Sequence, residues 1–245
     1  MILSPDYVHL QPNTLRRLAQ IAVNERVLLC CDDVKQGYRS MRASQFSAAV
    51  GFHADMYTFA KGLSNGHRLS CLMGRSDVMA AAKEFTYTAY FDTIPIVAAL
   101  ATLDYMDSHD GYQRLVQCGA TLATGMRDLV QRFELPIMIY GDGPMLQIVA
   151  ATEELDQALY ANCARTGLLL YEGDNQAVSL ATGDVLDELL KRFEKGLIAT
   201  SQQFSRGDPA SVSRQRRFKA AFRMMDGASD VVSAGQAIRL IREER

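Results

Sequence analysis

Arg26-Val27-Leu28-Leu29-Cys30-Cys31-Asp32-Asp33 is a continuous apolar run that ends in two carboxylates, the pattern of a strand buried on both faces. Before it, Leu15, Leu18, Ala19 and Ala22 recur at helical spacing and predict a helix over about 13–25. Earlier still, Ile2-Leu3-Ser4-Pro5 reads as the end of another strand. Strand, helix, strand in this order is a βαβ unit, which makes the sheet parallel and the class α/β. Starting on one strand of such a sheet predicts that the chain opens inside a domain.

Outward from this unit, 56–60 and 69–74 read as short strands around a polar, glycine-bearing loop at 61–68. Helices are predicted over 76–83, 94–107 and 111–133. From Leu135 the pattern changes. Strands at 136–140 and 145–151 flank the turn Gly141-Asp142-Gly143-Pro144, a helix follows at 153–165, and strands at 168–171 and 177–181. The last helix, 185–203, places Leu186, Leu189, Leu190, Phe193 and Leu197 on one face, with Thr182 or Asp184 as its cap. Three parts result: a large α/β domain over 1–133, a small α+β domain over 134–204, and a helical tail over 205–245. The tail carries nine Lys/Arg against five Asp/Glu, which reads as a solvated helix face.

Length and composition narrow the function. At 245 residues and 48% hydrophobic content the chain can bury a sizeable core. A formal charge of -2 gives no reason to expect nucleic acid or an anionic membrane as partner. No apolar segment is long enough to span a bilayer, and the start has no signal-peptide pattern. The five cysteines form no C-x-x-C pair and show no ligand spacing with the four histidines. That reads as reduced thiols in a cytoplasmic protein without a metal site.

Two stretches carry chemistry: Cys31-Asp32-Asp33-Val34-Lys35-Gln36-Gly37-Tyr38-Arg39 and Thr58-Phe59-Ala60-Lys61-Gly62-Leu63-Ser64-Asn65-Gly66-His67. The first sets two carboxylates at the carboxyl end of a parallel strand, the edge where open α/β sheets bind ligands. A carboxylate held in a partly dry site keeps a heterocyclic nitrogen protonated; alone, it equally suits a strand-end residue capping a turn. The second stretch sets a lysine between a strand and a Ser-Asn-Gly turn. Desolvation lets such a lysine lose its proton and condense with an aldehyde, whereas a lone loop lysine is ordinarily just solvated.

Together they decide more. Asp32-Asp33-Val34, then Gly37-Tyr38-Arg39, then Lys61-Gly62 and Asn65-Gly66, with Lys61 following Asp32 by 29 positions, resemble the class III pyridoxal-phosphate aminotransferases, most of all their glutamate-1-semialdehyde aminomutase-like branch. Segments 94–103 and 171–180 extend the likeness, which runs from about Ile2 to about Thr200. The resemblance implies the large domain of a fold-type I pyridoxal-phosphate transferase, with a mostly parallel sheet, plus its small C-terminal domain. It further implies pyridoxal 5'-phosphate as cofactor, Lys61 as the Schiff-base lysine and proton carrier, Asp32 against the pyridinium nitrogen and Val34 against a ring face.

A threonine donated from a partner subunit to the phosphate has Thr88 and Thr93 as candidates here, though strict alignment falls on Tyr90. Arg39 and His67 stand near the implied cofactor. The sequence departs from the family at Asp33, usually Glu, and at Gln36, often Thr. It has no arginine in 176–180, which argues against an α-carboxylate held there. Relatives carry nearly as much chain again before this start, so the phosphate loop and much of the pocket are absent from these residues. The expectation is an aminotransferase or aminomutase acting on a small amino compound, as a homodimer or completed by a complementary N-terminal chain. The competing reading is a non-catalytic interaction or regulatory subunit that keeps the fold.

Overall fold

A computed structural model describes residues 2–3, 12–44, 47, 51, 53–84, 91–141 and 143–207. It divides into two compact units, one ending at Gln117 and the other starting at Cys118. This division falls inside a helix, upstream of the predicted domain boundary after 133.

The first unit is built on a four-stranded sheet in the order β1 (Ile2–Leu3), β2 (Cys30–Asp32), β3 (Met56–Phe59), β4 (Cys71–Gly74). β1, β2 and β3 run parallel, with Cys31 opposite Tyr57 and Asp32 opposite Thr58; β4 runs antiparallel to β3. Helix α1 (Pro12–Asn24) links β1 to β2 and turns Leu15, Ala19 and Ala22 onto Leu29, Cys31 and Ala54.

The long apolar strand predicted from Arg26 is shorter than its sequence suggests. Arg26 adopts φ 53, its N–H bonds to Val23 O at 3.1 Å, and the Val27 N–H reaches back to Ala22 O at 2.9 Å. These two bonds are the paired closure that ends a helix through a left-handed residue. The front of the apolar run is thereby used to stop α1. Val27 and Leu28 remain exposed, so burial on both faces begins only at Leu29.

After β4 come the short helix α2 (Ser76–Met79), a 3-10 segment to Glu84, then α3 (Thr93–Ser108) and α4 (Gly111–Phe133). In the second unit β5 (Ile137–Tyr140), β6 (Met145–Ala150) and β7 (Gln176–Ala177) form an antiparallel sheet. Helices α5 (Glu153–Arg165), α6 (Leu180–Asp184) and α7 (Leu186–Ser201) complete it. Every residue of β6 is buried. α5 and α7 approach closely at Gly196, where a Cβ would stand 2.6 Å from Cys163 Sγ. The Asn162 side chain donates to Thr200 Oγ1 across them at 3.1 Å. No helix among the described residues is long and apolar enough to cross a membrane.

Two predicted strands here are corrected. Residues 168–171 make no ladder: the Gln176 side chain takes the Tyr171 N–H and donates to the Tyr171 carbonyl, doing locally what a neighbouring strand would do. The strand predicted over 177–181 stops at Ala177, because Thr182 Oγ1 accepts the Ser179 N–H at 2.9 Å and starts α6. Thr182 therefore serves α6, and α7 begins after Val185 with no side-chain cap. The tail beyond Gly207 lies outside the described residues.

Candidate active site

β2 and β3 are parallel neighbours, so both end at the same edge of the sheet. Asp32 closes β2, and Lys61 follows β3 by two residues. Asp32 is half-buried, and its Oδ1 accepts two hydrogen bonds at 3.1 Å, from the Val34 N–H and from Thr58 Oγ1. One donor comes from its own turn and one from the neighbouring strand, so the carboxylate has a fixed direction at the edge.

The turn after β2 is tight. The Gly37 N–H donates to Asp33 O at 2.8 Å. A Cβ at Gly37 would lie 2.6 Å from the Phe59 ring and 2.8 Å from Asp33 O. Tyr38, at φ 58, packs edge-on against Phe59 with centroids 5.0 Å apart. The glycine of the Gly37-Tyr38-Arg39 segment is thus the residue that lets the turn fold flat on β3. Val34 is half-buried on this turn.

Lys61 begins a 3-10 turn, Lys61–Ser64, with its side chain exposed and its backbone at φ 42, a region that strains any residue bearing a Cβ. Leu63 anchors the turn in a cluster with Phe59 and with Ala99 of α3. Asn65 (φ 47) and Gly66 (φ 97) then reverse the chain, and the buried Ser64 hydroxyl donates to His67 O at 2.7 Å. His67 itself is exposed.

Asp33 turns inward. It is 1% exposed, and among the described residues neither carboxylate oxygen has a close hydrogen-bond partner. Burial pushes its carboxyl up from the usual range, while the nearby Ser44 hydroxyl and Cys31 thiol pull partly the other way. Arg39 donates from Nε to Lys35 O at 2.6 Å, and burial lowers its guanidinium from the usual value.

Thr93 is exposed at the start of α3, where the Asp92 carboxylate already accepts the Ile94 N–H. Thr88 lies outside the described residues. The structure therefore brings Asp32, Val34 and Lys61 to one sheet edge and sets Thr93 on a separate element. It adds Thr58, which the sequence shows only as a strand residue; the missing signal is the register that places it opposite Asp32.

Known proteins resemble this chain over most of its length. The family model for class-III aminotransferases matches residues 6–195. The 2'-deamino-2'-hydroxyneamine transaminase of Streptomyces kanamyceticus is 32% identical over 74% of this chain and 47% of its own length. The aminopentol aminotransferase of Sphingopyxis macrogoltabida is 27% identical over 77% of this chain and 46% of its own. A glutamate-1-semialdehyde 2,1-aminomutase of Myxococcus xanthus is 25% identical over 69% of this chain and 41% of its own. Among solved structures, the pyridoxal-phosphate form of the Sphingopyxis sp. MTA144 FumI protein superposes with a TM-score of 0.71 at 25% identity, over 83% of this chain and 50% of that one. The chain spans about half the length of the relatives it matches. With its mostly parallel sheet, its small α+β unit and this match, the chain belongs to the class-III aminotransferase family.

Proposed function

We propose that this chain is the lysine-bearing part of a pyridoxal-phosphate enzyme that moves the amino group of a small amino compound, as an aminotransferase or an aminomutase. The observation that carries this reading is the shared sheet edge of Asp32 and Lys61, with the Asp32 carboxylate oriented by two donors. When bound, the cofactor supplies an electron sink for charge that develops on the substrate carbon.

The residues present suit the ring and aldehyde end of that group. Asp32 is a directed anion for a pyridinium nitrogen. Lys61 would hold the aldehyde end through its exposed primary amine, and its Nζ would accept and return a proton of the substrate. Val34, on the turn beside Asp32, would pack against a face of the ring. For the phosphate, a hydroxyl from Thr88 or Thr93 of a partner subunit joins groups supplied by further polypeptide, either a complementary N-terminal chain or a second copy in a homodimer. Residues 1–133 act as the cofactor-binding part and 134–204 as the small domain. The setting is cytoplasmic.

An absorbance spectrum of the purified chain with added pyridoxal phosphate, before and after borohydride, tests this beside Lys61→Ala. The expected result is a band near the visible edge that borohydride fixes onto Lys61, shown by peptide mapping. No band, or the same band in the variant, means that this chain alone builds no site; a complementary polypeptide is then the next test, and if none restores the band the fold has a non-catalytic role.

A further inference from the structure

Thr58 stands on β3 directly across from Asp32 in the parallel register, and its hydroxyl donates to Asp32 Oδ1 at 3.1 Å. The Val34 N–H donates to the same oxygen at 3.1 Å. Two donors converging on one oxygen resist rotation of the carboxylate about its own bond, which sets where its second oxygen points. The two restraints differ in kind. The Val34 amide is local and moves with the turn, whereas Thr58 belongs to the neighbouring strand that leads into Lys61. As a β-branched strand residue, Thr58 has few side-chain rotamers and holds its hydroxyl in place. It therefore ties the carboxylate on one strand to the strand that delivers the lysine.

We propose that Thr58 is the positioning residue for Asp32: its hydroxyl aims the carboxylate at the cofactor's ring nitrogen and keeps it in register with Lys61. This rests on the reading of Asp32 given above. Thr58 touches neither substrate nor reacting atoms and works only through Asp32.

Thr58→Val keeps the shape and the strand preference and removes the donor; Thr58→Ser keeps the donor and trims a methyl. In the cofactor-free chain, the proton shift of the Val34 amide, which shares Oδ1, reports by NMR on where the carboxylate sits. In the chain with pyridoxal phosphate labelled with nitrogen-15 in the ring, the ring-nitrogen shift reports on its partner, with Asp32→Asn as reference. The expected result is that Thr58→Val moves both signals and weakens cofactor binding about tenfold, the scale of one hydrogen bond to a charged group. Thr58→Ser restores all three. If Asp32→Asn moves the ring nitrogen while Thr58→Val leaves it and the Val34 amide as in the wild type, the role of Thr58 is overturned and that of Asp32 stands. A ring nitrogen indifferent to Asp32→Asn overturns the reading of the site and this proposal with it; where the wild-type chain alone takes up no cofactor, a Val34 amide unmoved by Thr58→Val overturns the role of Thr58.

Discussion

The two units bury their apolar residues to different extents. In the second, Leu135, Ile137, Leu146, Val149, Leu155, Leu159, Phe193 and Leu197 are each no more than 2% exposed, and β6 is buried along its whole length. In the first, the comparable set among the described residues is Leu15, Leu29, Cys31 and Phe59. The same unit leaves Leu72 and Met73 of β4, and Ile94, Val97 and Leu100 of α3, well exposed. Among the described residues the second unit has the larger fully buried set, although it too exposes Leu169, Tyr171, Val185 and Ile198, while the one that carries Asp32 and Lys61 is packed mainly where it shapes the edge. The lesson is that local order at a site can be fixed by a few close contacts without a large core around it.

The sharpest way to break this contrast is in the second unit. Phe193→Ala is expected to cost about 3–5 kcal/mol in denaturant unfolding, the range for truncating a fully buried aromatic; a loss under 1 kcal/mol would mean that the core is looser than its burial. Gly37→Ala tests the site turn. With Phe59 and the Asp33 carbonyl in the way, we expect a loss of about 1–3 kcal/mol, and a neutral result would show that the turn yields. Exposed apolar residues of α3 make the smallest test: Ile94→Ala and Leu100→Ala should stay within about 0.5 kcal/mol of the wild type. A larger loss in the isolated chain would show that this face is already covered in solution.

Between these lies Asp33, whose inward carboxyl is held above the usual range by burial. For a group raised in the folded state, the stabilisation is complete below the ordinary carboxylate value and is lost as the pH rises through the folded one. Asp33→Asn removes that loss. Unfolding at a series of pH values should show the variant gaining on the wild type on going from acid to neutral pH. Parallel curves would show that the Asp33 carboxyl is as well solvated in the fold as outside it.

Much of this was legible in the sequence. The βαβ start and the helix of α5 follow from periodicity, because that signal is local, whereas the pairing of Asp32 with Lys61 is what the resemblance to a family implies. What could not be seen depended on backbone closure or register. Arg26 ends α1 through a left-handed bond pair, which no apolar count anticipates. Gln176 replaces a strand by side-chain hydrogen bonds to Tyr171. Thr58 meets Asp32 only because two strands align, and a linear chain does not state its register. The roles of the site residues come from likeness to a family, so their proof belongs to the experiments above.

The left-handed backbone at Lys61 changes how its variants should be interpreted. At that angle alanine suffers the same steric penalty as lysine, about 1–2 kcal/mol relative to glycine. Lys61→Ala therefore isolates the loss of the amine, whereas Lys61→Gly also relaxes the chain and should raise the melting temperature. An engineer who improves this scaffold by stability alone would be drawn to glycine at the very position where the proposed function needs an amine. Selection for activity and selection for robustness thus pull in opposite directions on a single residue.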